Sequence, residues 1–303
     1  MNVVVSQMAV LFILLAVGYI AGKIKMLTPD GGKILSKVVL NISAPCTILA
    51  SVTGGEANIT SREIAFFTLL SFLAFLLFLL IAIPAVRALG GNKANRGLLC
   101  YMSAFGNAAF MGFPVTIAIF GESAAFYVAL FNIPFILLTF SVGIIMISGK
   151  GGNFNPKTLI NPSIFTALLA TTIVLTGFKA PAIFADAVRI TGSMTTPGAM
   201  LVVGCTLSRV SFKDVFSEWR VFPVALLKLI VMPVAVWLVF RQIVTNELML
   251  GVLVVLSGMP AAAMSAMLAI EYGGNERIAS SGVSLSTLLS GITIPLVIYM
   301  LLR

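Results

Sequence analysis

The sequence predicts an all-α integral membrane protein with ten transmembrane helices, arranged as two inverted five-helix repeats. Three observations lead to this fold class. Of the 303 residues, 59% are hydrophobic and 10% are charged, whereas a soluble domain has about 25% charged residues. Apolar runs that are long enough to span a membrane recur along the chain. The loops that join them are alternately rich and poor in lysine and arginine. Such a chain has too few polar side chains to cover a surface that faces water.

Ten apolar segments are long enough to cross a bilayer, which requires about 20 residues per helix. The first is followed rather than preceded by lysines, so it is interpreted as a retained helix and not as a signal peptide. The ten segments are 3–22, 33–53, 63–86, 96–119, 123–147, 160–178, 184–207, 219–241, 247–270 and 278–302.

The loops that follow the odd-numbered segments carry most of the 19 lysines and arginines. Cytoplasmic loops are enriched in these residues. We therefore expect a multi-pass protein of the cytoplasmic (inner) membrane with both termini on the outer side. The formal net charge of +9 does not indicate a nucleic-acid partner, because the basic residues are scattered among short loops. The partner expected from composition is the lipid bilayer.

A Gly- and Asn-rich stretch, Ser148 to Leu159, predicts a linker between two halves of five segments each. The halves are 1–150, the first repeat, and 151–303, the second. Because each half has an odd number of spans, the two must insert in opposite orientations. Transporters often contain inverted repeats with faint internal sequence similarity.

The fourth and ninth segments each contain glycine and proline near the middle of the span. These residues interrupt the hydrogen-bond ladder of a helix, and the freed backbone groups then need protein or water as partners. Two such breaks predict a polar cavity where half-helix N-termini attract an anion. The alternative is a pair of proline kinks with tight packing. The candidate binding residues here are Gly106, Asn107, Gly112 and Pro114 in the fourth segment, and Met259, Pro260, Met264 and Ser265 in the ninth.

Two further groups are candidates for the same cavity. Asn41 and Pro45 in the second segment, with Thr196 and Pro197 in the seventh, could line it, or could form ordinary interhelical hydrogen bonds. Lys228, inside the eighth segment, could bind an anion or pair with a carboxylate. Its structural alternatives are to extend along the helix toward the cytoplasmic face, or to pack against helix C-terminal carbonyls.

The chain does not have the residues that several kinds of chemistry require. The chain has no histidine, and the ten carboxylates fall in loops or at helix ends, so a buried acid for proton coupling is not predicted. The three cysteines lie in apolar runs without metal-ligand spacing, so neither a disulfide nor a metal is expected. We predict no enzyme activity and no cofactor.

Because of these two breaks and further motifs that follow in a characteristic order, the chain resembles the auxin efflux carrier family, the bacterial relatives of plant PIN carriers and malate permeases. The resemblance implies a bile-acid-symporter-like fold with crossover helices 4 and 9, a scaffold domain, a transport domain and elevator-like alternating access. It implies that Asn107 is the crossover asparagine of helix 4, and that Met264 replaces the equivalent asparagine of helix 9. The resemblance rests on Asn41–Pro45, Asn107–Pro114, Gly121-Glu122, Met259-Pro260 and Tyr272–Asn275, followed by Ala279–Ser281.

The predicted function is secondary transport of a small organic anion, a carboxylate such as malate or an auxin-like indole carboxylate. The alternative is a sodium-coupled symporter of a larger amphipathic organic anion on the same fold. A sensor or scaffold built on a carrier fold is a third possibility. The coupling ion, Na⁺ or H⁺, stays open, as does a homodimer formed through segments 1 and 6 or 3 and 8.

Overall fold

The structure is a computed structural model that describes residues 2–53, 59–90, 93–149, 162–211, 215 and 218–302. Within these residues every regular element is helical, apart from one isolated bridge between two extended residues. The predicted linker at 148–159 lies almost entirely outside the described residues. The all-α class expected from the sequence is therefore confirmed.

Seven helices in the described part of the chain are long and apolar enough to cross a membrane. Three shorter apolar helices accompany them, at Ala108–Phe120, Pro162–Thr176 and Glu247–Ser257. The chain is thus an integral multi-pass membrane protein, while the count of ten spans and the inverted repeat stay predictions. The seven long helices are Val4–Lys23, Pro29–Thr53, Ser61–Ala88, Ala124–Ser148, Ala182–Leu207, Val221–Phe240 and Glu276–Leu301.

The second helix begins four residues earlier than predicted, at Pro29, because its start is capped. The Thr28 side chain accepts a hydrogen bond from the Gly31 N–H at 3.2 Å, and Pro29 occupies the first helical position. Asp30 in the first turn suits the positive end of the helix. A wide π-helical turn, Val39–Ser43, then continues into Ala44–Thr53 without a break.

Three predicted segments are each divided. The fourth consists of Lys93–Ala104, then a π-helical turn at Ala108–Gly112 that leads into Phe113–Phe120. The ninth consists of Glu247–Ser257 and Met264–Tyr272, and the seventh of Ala182–Gly192 and Thr195–Leu207.

The chain forms two compact units, and each draws on both halves of the sequence. The first unit contains 1–70, 109–133 and 159–209. The second unit contains 71–108, 134–158 and 210–303.

In the first unit, Asn2–Lys23 packs closely along Thr195–Leu207. A Cβ on Gly18 would lie 2.5 Å from the carbonyl oxygen of Leu201, and one on Gly204 would overlap the carbonyl oxygen of Leu15. Small residues allow such backbone approach between membrane helices. Only glycine fits at these two contacts.

A cluster of buried hydroxyls joins the start of Thr195–Leu207 to the helix Pro29–Thr53, also in the first unit. The Thr195 Oγ1 lies 2.7 Å from both the Ser43 Oγ and the Thr47 Oγ1. Thr47 also donates to the carbonyl oxygen of Gly192 at 2.9 Å. Asn41, Pro45, Thr196 and Pro197 lie beside this cluster in sequence, and Asn41 and Pro197 are exposed.

Removing the shared hydroxyl should loosen the first unit. We expect Thr195→Val to lower its stability by about 1 kcal/mol, or the Tm by about 2–4 °C, because two interhelical hydrogen bonds are lost. Thr172→Val is the matched control, since the exposed Thr172 hydroxyl donates only within its own helix, to Leu168. Thermal unfolding in detergent measures both variants. Equal Tm values for the two would contradict a structural role for the cluster.

Aromatic rings fill the core of the second unit. Tyr101 and Phe105 stack with centroids 4.6 Å apart, and Phe75 stacks on Phe105 at 5.5 Å. Phe78 and Phe135 complete the group against Phe75. This core holds the end of Lys93–Ala104, where the first break begins.

Candidate functional site

The first break starts where the helix Lys93–Ala104 ends. The Phe105 N–H makes the last helical bond, to Tyr101 at 2.8 Å, and the chain then runs extended through Gly106 and Asn107. A helix resumes through the π-helical turn Ala108–Gly112. Pro114 has no N–H to donate to the preceding turn, and it lies just after the π-helical turn, inside the helix Ala108–Phe120 and not at the break.

The second break starts after Ser257. The Gly258 N–H donates to the carbonyl oxygens of Val254 and Val255, closing that helix. Pro260 cannot donate and so prevents the ladder from continuing. The next helix begins at Met264, and both the N–H and the hydroxyl of Ser265 donate to Ala262, at 2.9 and 2.6 Å.

The two breaks bind each other through their backbones. The Asn107 N–H donates to the Pro260 carbonyl at 2.7 Å, and the Ala262 N–H donates to the Phe105 carbonyl at 3.0 Å. Gly106 and Ala261 thereby form an antiparallel bridge. Backbone groups in a membrane protein must find partners inside the protein, and each break supplies the partners that the other has lost. We call this bridged region, Phe105–Asn107 with Pro260–Ala262, the crossing.

Two side chains pack directly on the crossing. The Ser286 hydroxyl accepts the Ala261 N–H at 3.0 Å. A Cβ on Gly106 would lie 3.0 Å from the Lys228 Cε and 3.2 Å from the Met259 carbonyl oxygen. These contacts explain why position 106 carries glycine.

The half-helices give the crossing a defined electrostatic pattern. Lys93–Ala104 and Glu247–Ser257 end there, so they present carbonyl oxygens with partial negative charge. The helices that begin at Ala108 and Met264 present N–H groups with partial positive charge. Asn107 lies between the end of Lys93–Ala104 and the start of the helix at Ala108, and the residue is 5% exposed. The crossing therefore offers an anion-attracting and a cation-attracting face.

Lys228 is one of the most deeply buried side chains of the second unit, at 1% exposure. Its ammonium donates to the Ala104 carbonyl oxygen at 3.2 Å and lies 4.8 Å from the centre of the Phe78 ring. Among the described residues, no carboxylate forms an ion pair with it. Neither extension to the membrane surface nor pairing with a described acid is observed. The structure shows the other alternative from the sequence, contact with a carbonyl at the C-terminal end of a helix.

The structure brings together only part of the predicted set. One group lies in the second unit, on or beside the crossing, and the other group lies in the first unit. Sequence analysis missed Phe78, Ser286 and the Ala104 carbonyl; only the small polar run at Ser284–Thr287 hinted at one of them. The second unit holds Gly106, Asn107, Met259, Pro260, Met264, Ser265 and Lys228, and the first holds Asn41, Pro45, Gly112, Pro114, Thr196 and Pro197.

Comparison with known proteins covers almost the whole chain. The family model described as "membrane transport protein" matches residues 3–158 and 152–298. The "uncharacterized transporter YfdV" of Escherichia coli strain K12 is 25% identical over 97% of this chain and 96% of its own length. The "uncharacterized transporter MJ1031" of Methanocaldococcus jannaschii is 27% identical, over 95% of each chain. An "uncharacterized transporter" of Methanothermobacter thermautotrophicus is 24% identical over 94% of each.

Proposed function

Because the chain belongs to the auxin efflux carrier family of membrane transport proteins, we propose that it is a secondary transporter of a small organic anion. The observation that carries the proposal is the crossing, where two helices that begin at Ala108 and Met264 direct their N-termini toward a bridged break. Broken helices with this polarity are how transporters bind carboxylates inside the bilayer. The protein acts as a carrier and not as an enzyme.

The carboxylate of the substrate binds at the N-terminal ends of the half-helices. Asn107 contributes amide donors and an acceptor beside them. Met264 offers no amide on the opposite side, and the Ser265 hydroxyl already donates to Ala262. The site thus has one amide and one apolar wall, which suits a solute with a single dominant carboxylate and an apolar body, such as an indole carboxylate, better than a highly polar dicarboxylate.

Transport follows an elevator-like cycle in which a transport domain that holds the crossing moves against a scaffold domain. The tight glycine contact between Asn2–Lys23 and Thr195–Leu207 suits a rigid scaffold. Positive-inside loops orient the protein in the cytoplasmic membrane with both termini outside.

A binding screen tests the proposal. Purified protein is heated in detergent with a panel of malate-like and indole carboxylates and with the neutral amide of each, in sodium and in choline chloride. Carboxylates should raise the Tm and their amides should not, since the half-helix ends attract negative charge. Stabilisation that requires sodium and a bulky amphipathic anion would favour the alternative symporter. Equal effects of acids and amides would contradict an anion site.

Asn107→Ala should weaken carboxylate binding about 10- to 100-fold, because a hydrogen bond to a charged group contributes about 1.5–3 kcal/mol. Asn132→Ala is the control: both side chains are 5% exposed, and the Asn132 amide donates within its own helix, to Val128 at 2.9 Å. Titration of the bound carboxylate measures both Kd values. If the two variants lose affinity equally, the binding site lies elsewhere.

A further inference from the structure

Lys228 lies where two half-helices end. Its ammonium donates to Ala104, the last residue of Lys93–Ala104. The Met259 carbonyl, just past the end of Glu247–Ser257, lies within 3.2 Å of the point where a Gly106 Cβ would be, and the Lys228 Nζ lies 3.2 Å from the same point. The ammonium therefore binds the carbonyl end of one broken helix, and the Met259 carbonyl at the end of the other borders the same Gly106 position.

The surroundings suit a positive charge without supplying a carboxylate. Helix C-terminal carbonyls attract cations, and the face of the Phe78 ring, 4.8 Å away, does the same. Lys228 itself lies in the π-helical turn Leu227–Val231, a local widening that often marks functional sites.

In ion-coupled transporters, unwound carbonyls and half-helix C-termini coordinate the coupling cation. A lysine ammonium is a compact point charge with three donors on a flexible stem, so it can satisfy the same carbonyls. We propose that the Lys228 ammonium is a built-in cation that takes the place of a bound alkali ion at the crossing. The proposal rests on the transport function proposed above, and it makes that transport independent of sodium.

A direct consequence is that removing the Lys228 side chain should create a binding site for a small cation. Lys228→Ala leaves the Ala104 carbonyl without its ammonium donor and leaves room for a small cation. Lys228→Met removes the same charge but fills the space with an unbranched apolar chain. The two variants therefore separate the loss of charge from the opening of a vacant site.

The test is thermal unfolding of the full chain in detergent, in sodium chloride, in choline chloride and with added propylammonium, at equal ionic strength. It needs no transported substrate, so its outcome is separate from that of the carboxylate screen. The wild type should have the same Tm in sodium and choline. Lys228→Ala should gain about 3 °C or more with sodium or propylammonium at roughly ten times its Kd, and Lys228→Met should gain nothing.

Two results would overturn the proposal. One is a sodium-specific rise in the Tm of the wild type, which would show that an alkali ion binds in addition to Lys228. The other is a folded Lys228→Ala that responds to cations no more than Lys228→Met does. If Lys228→Ala does not fold in any of the three salts, the wild-type comparison still decides, together with carboxylate uptake by Lys228→Met. Uptake equal to wild type would then overturn the proposal, and a sodium-insensitive loss would support it.

Discussion

Gly204→Val is expected to prevent the first unit from folding. A Cβ at position 204 would overlap the Leu15 carbonyl oxygen and lie 2.6 Å from the Tyr19 nitrogen. Both are backbone atoms of Asn2–Lys23, so neither can rotate away as a flexible side chain would. Separating the two helices would also open the Gly18 contact with Leu201. We expect a loss of more than about 4 kcal/mol, which belongs to the largest class of single-residue effects.

Gly31→Ala is the control for this prediction. A Cβ on Gly31 would meet Leu27 and Thr28 at 3.4 Å, which is ordinary contact distance. Size-exclusion profiles of detergent extracts measure the folded fraction of each variant. A monodisperse Gly204→Val with the Tm of Gly31→Ala would show that these helices are not packed through their backbones.

Gly106→Val should reduce transport about 100-fold while leaving much of the fold in place. Its Cβ would lie 3.0 Å from the Lys228 Cε and 3.2 Å from the Met259 carbonyl oxygen, and the two methyl groups beyond it need still more space. The bridge to Ala261 would have to open, displacing Asn107 and the helix end at Ala108. In enzymes, a misplacement of about 1 Å can reduce the rate at which a bound substrate reacts about 100-fold. We expect the rate of uptake to fall by a similar factor.

Gly282→Ala separates this effect from general crowding in the second unit. A Cβ at 282 would overlap the terminal methyl of Met102, the far end of a flexible side chain that can move aside. Its other neighbours, the Met102 sulfur and the Val221 Cγ1, lie at 3.5 and 3.6 Å, which are ordinary contact distances. Uptake into proteoliposomes, normalised to folded protein, should stay near the wild-type rate for this control. Equal losses of uptake for Gly106→Val and Gly282→Ala would show that the crossing is not part of the transport path.

Features that depend on composition and local sequence could be predicted. Long apolar runs identified the helices, since a span must be apolar over its whole length. Glycine with proline located both interruptions, because these residues act on the backbone within one or two turns. The assignment of Asn107 and Pro260 to the breaks followed directly.

Features that depend on which helices meet could not be predicted. The bridge between Gly106 and Ala261 joins residues far apart in sequence, and no pattern in either segment specifies its partner. The inward direction of Lys228 depends on the Ala104 carbonyl and the Phe78 ring, supplied by two other helices. The same limit applies to the hydroxyl cluster at Thr195, which lies one residue from the predicted Thr196.

Counterflow in proteoliposomes tests the central claim, that the protein transports an organic anion which binds at the crossing. Vesicles preloaded with an unlabelled indole carboxylate or malate are diluted into the labelled acid in sodium-free medium. We predict saturable accumulation of label for at least one of these carboxylates, no accumulation of its neutral amide, and a loss of about 10-fold or more in Asn107→Ala but not in Asn132→Ala. No accumulation of any carboxylate by folded wild-type protein, or equal accumulation by Asn107→Ala, would contradict the account.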